Sequence, residues 1–386
     1  MNVLLVTTSY PLRKGSVSGV FVKKLVDALK YHANITVVTP ADDNDSTDSD
    51  VKIAKYAPQN MQLLSHRPGG IPVTLRERPL TWLLLPPLII SMFCQCIAQC
   101  GNKDVIVANW SINGVIAGAV AKLFNIPLIT VLRGSDVNVD NGKKKRSLFL
   151  LLAIKLSAKV VCVSDTLYQK MLSTYSVDKN KFVMIPNGVD CEYQNIKHPI
   201  DNSSVELTTI GNLNVKKGVH VIIEALALLR QGGKQIVLNV IGDGPEEKNL
   251  MRLSETLGVA DSINFIGSVP HSEIFGYLKK TNIFVFASYS EGRANVLLEA
   301  MASGLPIVAS DIEANQELIR HCDNGYLFET GDKNDLADKL KELIESKSTR
   351  KRIGLSARKY VKINGLSWSA TGEKYNQLLV ACVGDT

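Results

Sequence analysis

Hydrophobic positions along this chain fall into two alternating patterns. Short, mostly apolar runs recur at Val3–Thr7, Asn34–Thr39, Asp104–Ala108, Pro127–Leu132 and Val160–Ser164, then at Glu206–Ile210, Ile236–Ile241, Ile263–Val269, Ile283–Ala287 and Leu305–Ala309. Runs of that length without polar alternation predict strands covered on both faces, as in parallel sheets. Between them apolar residues recur at helical spacing: at Val20, Phe21, Leu25, Val26, Ala28 and Leu29 within Val20–Tyr31, and again over Ile112–Phe124, Val219–Gln231 and Glu246–Leu257. A strand–helix alternation of this kind predicts the α/β class with doubly wound parallel sheets. The chain's 386 residues, 45% of them hydrophobic, suffice for two such domains of roughly 190 residues. The turn Pro186-Asn187-Gly188 closes the first, and the polar segment Glu192–Ser204 reads as a linker, which divides the chain into 1–195 and 196–366 before a last apolar helix.

One stretch departs from the pattern. Leu80 to Gln99 carries no charge, yet Pro86-Pro87 interrupts it and leaves about a dozen helical residues, short of the roughly 20 that a membrane span needs. It reads first as a core helix and second as a surface that docks on a bilayer, helped by Arg76, Arg78 and Lys143-Lys144-Lys145-Arg146. The net charge of +7 is uneven, because residues 1–190 hold 22 Lys and Arg against 13 Asp and Glu, and the rest hold 22 against 24. The basic half shows no zinc finger, aromatic-interleaved basic stripe or helix-turn-helix, so nucleic acid is not an expected partner, whereas an anionic lipid surface or a phosphorylated acceptor is. Seven cysteines without a Cys-x-x-Cys spacing read as reduced thiols, and the opening Met1-Asn2-Val3-Leu4-Leu5-Val6 as a first strand rather than a signal peptide, so a cytoplasmic location is expected. The acidic run Asp42–Asp50 lacks the glycine and distal glutamate of a calcium loop, and no metal site is expected.

Candidate chemistry concentrates between Ile283–Ala287 and Leu305–Ala309. In open parallel sheets ligands lie beyond the carboxyl ends of the strands, where the N–H groups opening the next helix meet an anion. The loop Ser288–Ala294 stands at that place, with Glu291 at its mouth. Glu299, one helical turn beyond Asn295, projects from the same face. Taken singly, each is an ordinary helix-start or exposed helix residue.

Together they resemble something more specific. A Glu, seven residues and a second Glu, closing on Ala300-Met301-Ala302-Ser303-Gly304-Leu305-Pro306-Ile307-Val308-Ala309-Ser310, is similar to the signature of family 4 of the retaining, nucleotide-sugar-dependent glycosyltransferases with the GT-B fold. That resemblance implies two Rossmann-like domains facing across a cleft, with the helix of 367–386 packing back on the first. It implies a UDP- or GDP-linked sugar as co-substrate rather than a cofactor, and no metal. Glu299 would accept hydrogen bonds from the ribose hydroxyls and Glu291 from those of the transferred sugar. Lys217 and the N–H groups of Asn295 and Val296 would neutralise the diphosphate.

Gly211, Asn212 and Gly242 fall on the family's phosphate-side loops, and Ser268 and Val269 on the backbone that meets the base. Asn212 stands where relatives carry an arginine, and Arg293 is the candidate replacement. In the first domain the resemblance carries over Gly19, together with Arg133 and Asp136 of Arg133-Gly134-Ser135-Asp136, where relatives show His-Gly-x-Asp on the acceptor side. Tyr10-Pro11, Ser18-Gly19-Val20-Phe21-Val22 and the Arg133 phrase resemble members that build bacterial cell-surface polysaccharides. Such a protein would use a saccharide or polyprenyl-linked acceptor at the inner face of the cell membrane. The alternatives are a sugar-nucleotide-binding homologue or partner subunit that has lost turnover, and a GT-B-shaped sugar-nucleotide epimerase.

Overall fold

A computed structural model describes residues 1–12, 19–42, 50–57, 64, 71, 74–75, 78–134, 147–196, 198, 204–230 and 235–384. Asp136, the loop positions 13–18, the acidic run from 43 to 49, Arg76 and the basic cluster 143–146 lie outside the described residues. The chain divides into two compact units, Met1–Asn187 with Trp368–Thr386, and Gly188–Ser367.

The first unit is a seven-stranded parallel sheet. Its strands are β1 (Asn2–Val6), β2 (Asn34–Pro40), β3 (Lys52–Tyr56), β4 (Val105–Asn109), β5 (Leu128–Leu132), β6 (Lys159–Cys162) and β7 (Phe182–Met184), in the order 3-2-1-4-5-6-7. Helices α1 (Val20–Leu29), α2 (Leu85–Cys100), α3 (Ser111–Phe124), α4 (Leu148–Leu156) and α5 (Asp165–Thr174) connect them. Alternation within the strands explains the continuous apolar runs. Val3 and Leu5 face one core with α1, while Leu4 and Val6 face another with α2 and α3. No side of such a strand meets water, so no polar alternation is written into it.

The second unit repeats the plan with six parallel strands. These are β8 (Val205–Ile210), β9 (Ile236–Ile241), β10 (Ile263–Gly267), β11 (Ile283–Phe286), β12 (Ile307–Ser310) and β13 (Tyr326–Phe328), in the order 10-9-8-11-12-13. Its helices are α6 (Val219–Leu229), α7 (Glu247–Thr256), α8 (His271–Lys280), α9 (Asn295–Ala302), α10 (Glu313–Gln316), α11 (Lys333–Glu345) and α12 (Lys347–Ile363). The last helix, α13 (Trp368–Gly384), belongs to the first unit, where Tyr375, Leu378 and Leu379 join the core that contains α1.

Two sequence readings change. The boundary falls at Asn187/Gly188 rather than at 195, because Val189, Tyr193 and Ile196 are buried in the core of the second unit. The start of the expected polar linker is therefore a docked 3₁₀ turn, Cys191–Asn195. Nor is Leu80–Gln99 a core helix all round. Only Leu88, Met92, Cys96 and Cys100, at a four-residue spacing, are buried in α2, while Leu80, Trp82, Leu83 and Ile90 are exposed.

Close backbone approach at the carboxyl edge of the second sheet demands glycine. A Cβ on Gly242, at φ 134°, would stand 2.0 Å from the carbonyl oxygen of Gly211, and one on Gly218, at φ 62°, would stand 2.1 Å from that of Ala287. Gly258 shares the left-handed conformation, at φ 67°, with nothing near its Cβ. The pair Gly242→Ala and Gly258→Ala separates the two costs. Gly258→Ala should lower stability by about 1 kcal/mol, the strain of a left-handed alanine. Gly242→Ala should cost about 3 kcal/mol, since backbone must also shift. Denaturant midpoints measure both, and equal losses would mean that the approach at Gly242 is not tight.

Candidate functional site

Strand order in the second unit reverses between β8 and β11, which pair directly. The loops leaving their carboxyl ends run in opposite directions there, and a crevice opens at such a point in doubly wound sheets. The first loop, Gly211–Gly218, ends in a 3₁₀ turn, Val215–Lys217, and the left-handed Gly218. The second, from Ala287 to Ala294, leads into α9. They are tied together by the Tyr289 N–H, which donates to the Lys216 carbonyl at 2.8 Å, and by Gly218 against Ala287.

The tie that carries charge is an ion pair. Lys217 Nζ lies 2.5 Å from Glu291 Oε1 and 5.5 Å from the centroid of the Phe286 ring. The lysine side chain is 25% exposed and the glutamate 13%, so the pair faces solvent over a limited aperture. Beneath it a small cavity is lined by Gly211, Leu213, Lys217, Phe286 and Ser288. The fully buried Ser288 Oγ has no hydrogen-bond partner among the described residues, so the cavity keeps an open polar contact.

Helix α9 begins at the far end of the second loop. Ala294 at its N-cap has no side-chain acceptor, so Asn295 and Val296 open the helix without a side-chain cap, at the end where the helix dipole is positive. Glu299 lies on this helix with 8% of its surface exposed. His271, the first residue of α8, donates from Nε2 to Glu299 Oε1 at 2.9 Å. That bond orients the carboxylate. His271 was missed in the sequence because the two partners are 28 residues apart and share no local motif.

The strand ends beside this pair are glycine-rich. The Gly211 N–H donates to Ile241 O, and the Gly242 N–H donates to Gly267 O at 2.8 Å, which brings the ends of β8, β9 and β10 together. Asn212 Oδ1 accepts from Asn214 Nδ2 at 2.9 Å. Ser268 is exposed and Val269 half-buried just beyond β10.

Arg293 is turned away from the Lys217–Glu291 pair. Its side chain is 6% exposed, and Nη1 lies 3.7 Å from Glu317 Oε2. Burial lowers the pKa of this guanidinium and Glu317 opposes that effect. The structure thus brings together Lys217, Glu291, Gly211 and the start of α9, and it sets Arg293 against Glu317.

The corresponding edge of the first unit holds Gly19 and Arg133. Gly19, at φ 74°, caps α1, and a Cβ there would stand 2.6 Å from Ser9 O. Arg133 follows β5 and is held by three neutral or aromatic neighbours. Its Nε and Nη2 donate to Asn109 Oδ1 at 3.1 and 2.7 Å, its Nη1 donates to Asn187 Oδ1 at 2.9 Å, and its guanidinium lies 4.5 Å from the centroid of the Phe21 ring. Next to Asn109, Trp110 adopts φ 69° and ψ 151°, a conformation that β-carbon sterics disfavour, and it packs edge-on to Phe21. A guanidinium keeps its charge at any physiological pH, so Arg133 can bind an anion or orient a hydroxyl but cannot relay a proton as histidine does.

Comparison with known proteins agrees with this geometry. The sequence model described as Glycosyltransferase Family 4 matches residues 18–193, and that described as Glycosyl transferases group 1 matches residues 192–360. The chain is 25% identical over 284 residues to the capsular polysaccharide biosynthesis glycosyltransferase CapM of Staphylococcus aureus, covering 69% of this chain and 74% of that one. Among solved structures, sucrose-phosphate synthase from Thermosynechococcus elongatus superposes with a TM-score of 0.81 at 18% identity, covering 100% of both chains. HepE from Anabaena, in complex with UDP and glucose, superposes with a TM-score of 0.76 at 19% identity, covering 99% of this chain and 100% of that one. Two parallel Rossmann-like sheets of this order, a Glu-to-Glu motif at the second switch point, and family models that meet at residue 193 lead to one assignment: the chain belongs to the family 4, group 1 glycosyltransferases and has the GT-B fold.

Proposed function

We propose that this protein is a metal-independent, retaining hexosyltransferase that moves a sugar from a UDP- or GDP-linked donor to a saccharide acceptor, polyprenyl-linked in the cell, during cell-surface polysaccharide biosynthesis at the cytoplasmic face of the membrane. The observation that carries the reading is the Lys217–Glu291 pair across the switch point, beside the uncapped start of α9. Diphosphate entering there meets the start of α9, and Lys217 exchanges Glu291 for phosphate. Glu291 is then available to the hydroxyls of the transferred sugar. Glu299, oriented by His271, accepts from the ribose, and the backbone after β10 at Ser268 and Val269 meets the base. CapM, a glycosyltransferase of capsular polysaccharide biosynthesis, and HepE, solved with UDP and glucose, support the choice of product and donor class.

Charge stabilisation in this scheme belongs to the protein. A departing nucleoside diphosphate is met by an ammonium and a helix N-terminus, each acting at short range in a site of limited exposure. Among the described residues, no three His, Cys, Asp or Glu side chains converge as metal ligands would. Arg133 and Asp136 are assigned to the acceptor side, where a fixed cation positions the acceptor rather than exchanging its proton. Arg293, through Glu317, holds the loop that carries Glu291.

Two outcomes follow for the donor half. Glu299→Ala should weaken UDP or GDP binding by about 1.5–3 kcal/mol, the scale of charge-assisted hydrogen bonds lost together. Isothermal calorimetry reads this directly, and an unchanged affinity would remove Glu299 from the site. Transfer or slow donor hydrolysis should also persist in the presence of a chelator, whereas Lys217→Ala should reduce it by roughly a hundred-fold or more, as expected when a preorganised charge is removed. Activity lost to chelator and restored by manganese would refute the metal-independent scheme.

A further inference from the structure

Three helices of the first unit form one layer. Helix α3 packs on α2 through Ile116, Ala117 and Val120 against Leu88, Met92 and Cys96. On its other side Gly114 and Gly118 let Ala153 and Leu156 of α4 come close. The inner stripes of these helices are thus accounted for by the core. Their outer surface is not what a water-facing layer should be.

Leading into α2, Trp82 is 56% exposed and Leu83 77%, with Leu80 and Ile90 beside them, and on α4 Leu148, Phe149 and Leu152 are exposed as well. Pro79–Cys100 has a mean hydropathy of 1.8 over its most apolar window, of which 22% is buried. A core helix would be buried all round. Pro79–Cys100 has the length of a span, but one stripe of it, Leu88, Met92, Cys96 and Cys100, is committed to the core of the first unit, so the segment lies against the domain and offers only its other side to a partner. Large exposed apolar patches on a folded domain mark contact with another phase or partner.

Charge selects which partner. Over 78–101, 111–125 and 147–158 the sequence has no Asp or Glu at all, while Arg78, Lys122 and Lys155 stand exposed. A second copy meeting this face about a two-fold axis would bring like charges together. An anionic bilayer surface complements both halves of the composition. Apolar side chains enter the acyl boundary, an indole suits the headgroup level, and each cation gains about 1 kcal/mol near anionic lipid.

We infer that the layer of α2, α3 and α4, led by Trp82, Leu83, Leu148 and Phe149, is a docking face for the surface of an anionic phospholipid bilayer. It deepens the reading of a lipid-linked acceptor and rests on that reading for its purpose. Docking holds the first unit at the surface where such an acceptor resides and converts its capture into a two-dimensional search.

The test is sedimentation of the full chain with vesicles, without donor or acceptor. Vesicles of equal parts phosphatidylglycerol and phosphatidylcholine should carry the protein down, and vesicles of phosphatidylcholine alone should carry far less. Raising salt from about 0.1 M to about 1 M, which shortens the screening length from roughly 10 to roughly 3 Å, should release much of it. The double variant Trp82→Ser with Leu83→Ser, and separately Phe149→Ser, should weaken anionic-vesicle binding roughly ten-fold or more, because their lost apolar burial exceeds the 1.4 kcal/mol that a factor of ten represents. Both should keep the circular dichroism and melting of the parent, since these side chains are exposed. Transfer to a soluble saccharide acceptor should also be unchanged, so loss of docking is read separately from loss of the transferase.

Three results would each overturn the inference: a parent protein that stays in solution with anionic vesicles, variants that bind them as well as the parent, or a dimer that the substitutions dissolve in the absence of any vesicle binding.

Discussion

The ion pair between Lys217 and Glu291 is the interaction around which the second unit's functional edge is organised. Its two residues are 74 positions apart and leave strands that are neighbours only because the sheet order reverses between β8 and β11. The pair holds both loops over the crevice, and the glycines on either side permit it. Gly218 lies against Ala287 and so lets these two loops come close, while Gly242 against Gly211 does the same for the ends of β8 and β9. Removing one partner of a largely enclosed pair leaves an ill-solvated charge, so the two residues hold each other in place.

Arg293 and His271 extend the same logic outward. Glu317 engages Arg293 inside the unit and so anchors the loop bearing Glu291 from behind. His271 fixes one carboxylate oxygen of Glu299. In the first unit, Asn109, Asn187 and Phe21 immobilise the Arg133 head group at the carboxyl edge of its sheet, next to a tryptophan held in an unfavourable backbone conformation. Each of these side chains is thus restrained by a neighbour from a different element, the usual means by which a rigid α/β scaffold fixes side chains in place.

The first unit carries a second surface with different physics. Its sheet is covered on both faces, yet the helices that cover one face are themselves apolar on the outside. Burying both stripes of α2 within the protein would require a further layer beyond the two or three that a domain of this kind packs. The inferred docking on lipid would resolve that excess of apolar surface without adding protein.

Much of this was legible along the chain. Uninterrupted apolar runs identified ten of the thirteen parallel strands because strands covered on both faces have no solvent side to mark, whereas the half-exposed edge strand β3 and the three-residue strands β7 and β13 gave no such run, and the seven-residue gap between Glu291 and Glu299 placed both on one loop–helix junction through helical geometry alone. Local spacing determines those features. Tertiary structure decided the rest. The unit boundary moved to Asn187/Gly188 because Tyr193 and Ile196 find a core contributed by distant helices, and α2 proved apolar on both sides although its hydropathy could not say which side the sheet would claim. The partnerships Lys217–Glu291, His271–Glu299 and Arg293–Glu317 depend on which strands become neighbours. A sequence by itself determines periodicity and motif spacing, which are short-range properties of the backbone, whereas the pairing of charges across strand ends waits on a strand order that only the folded sheet supplies.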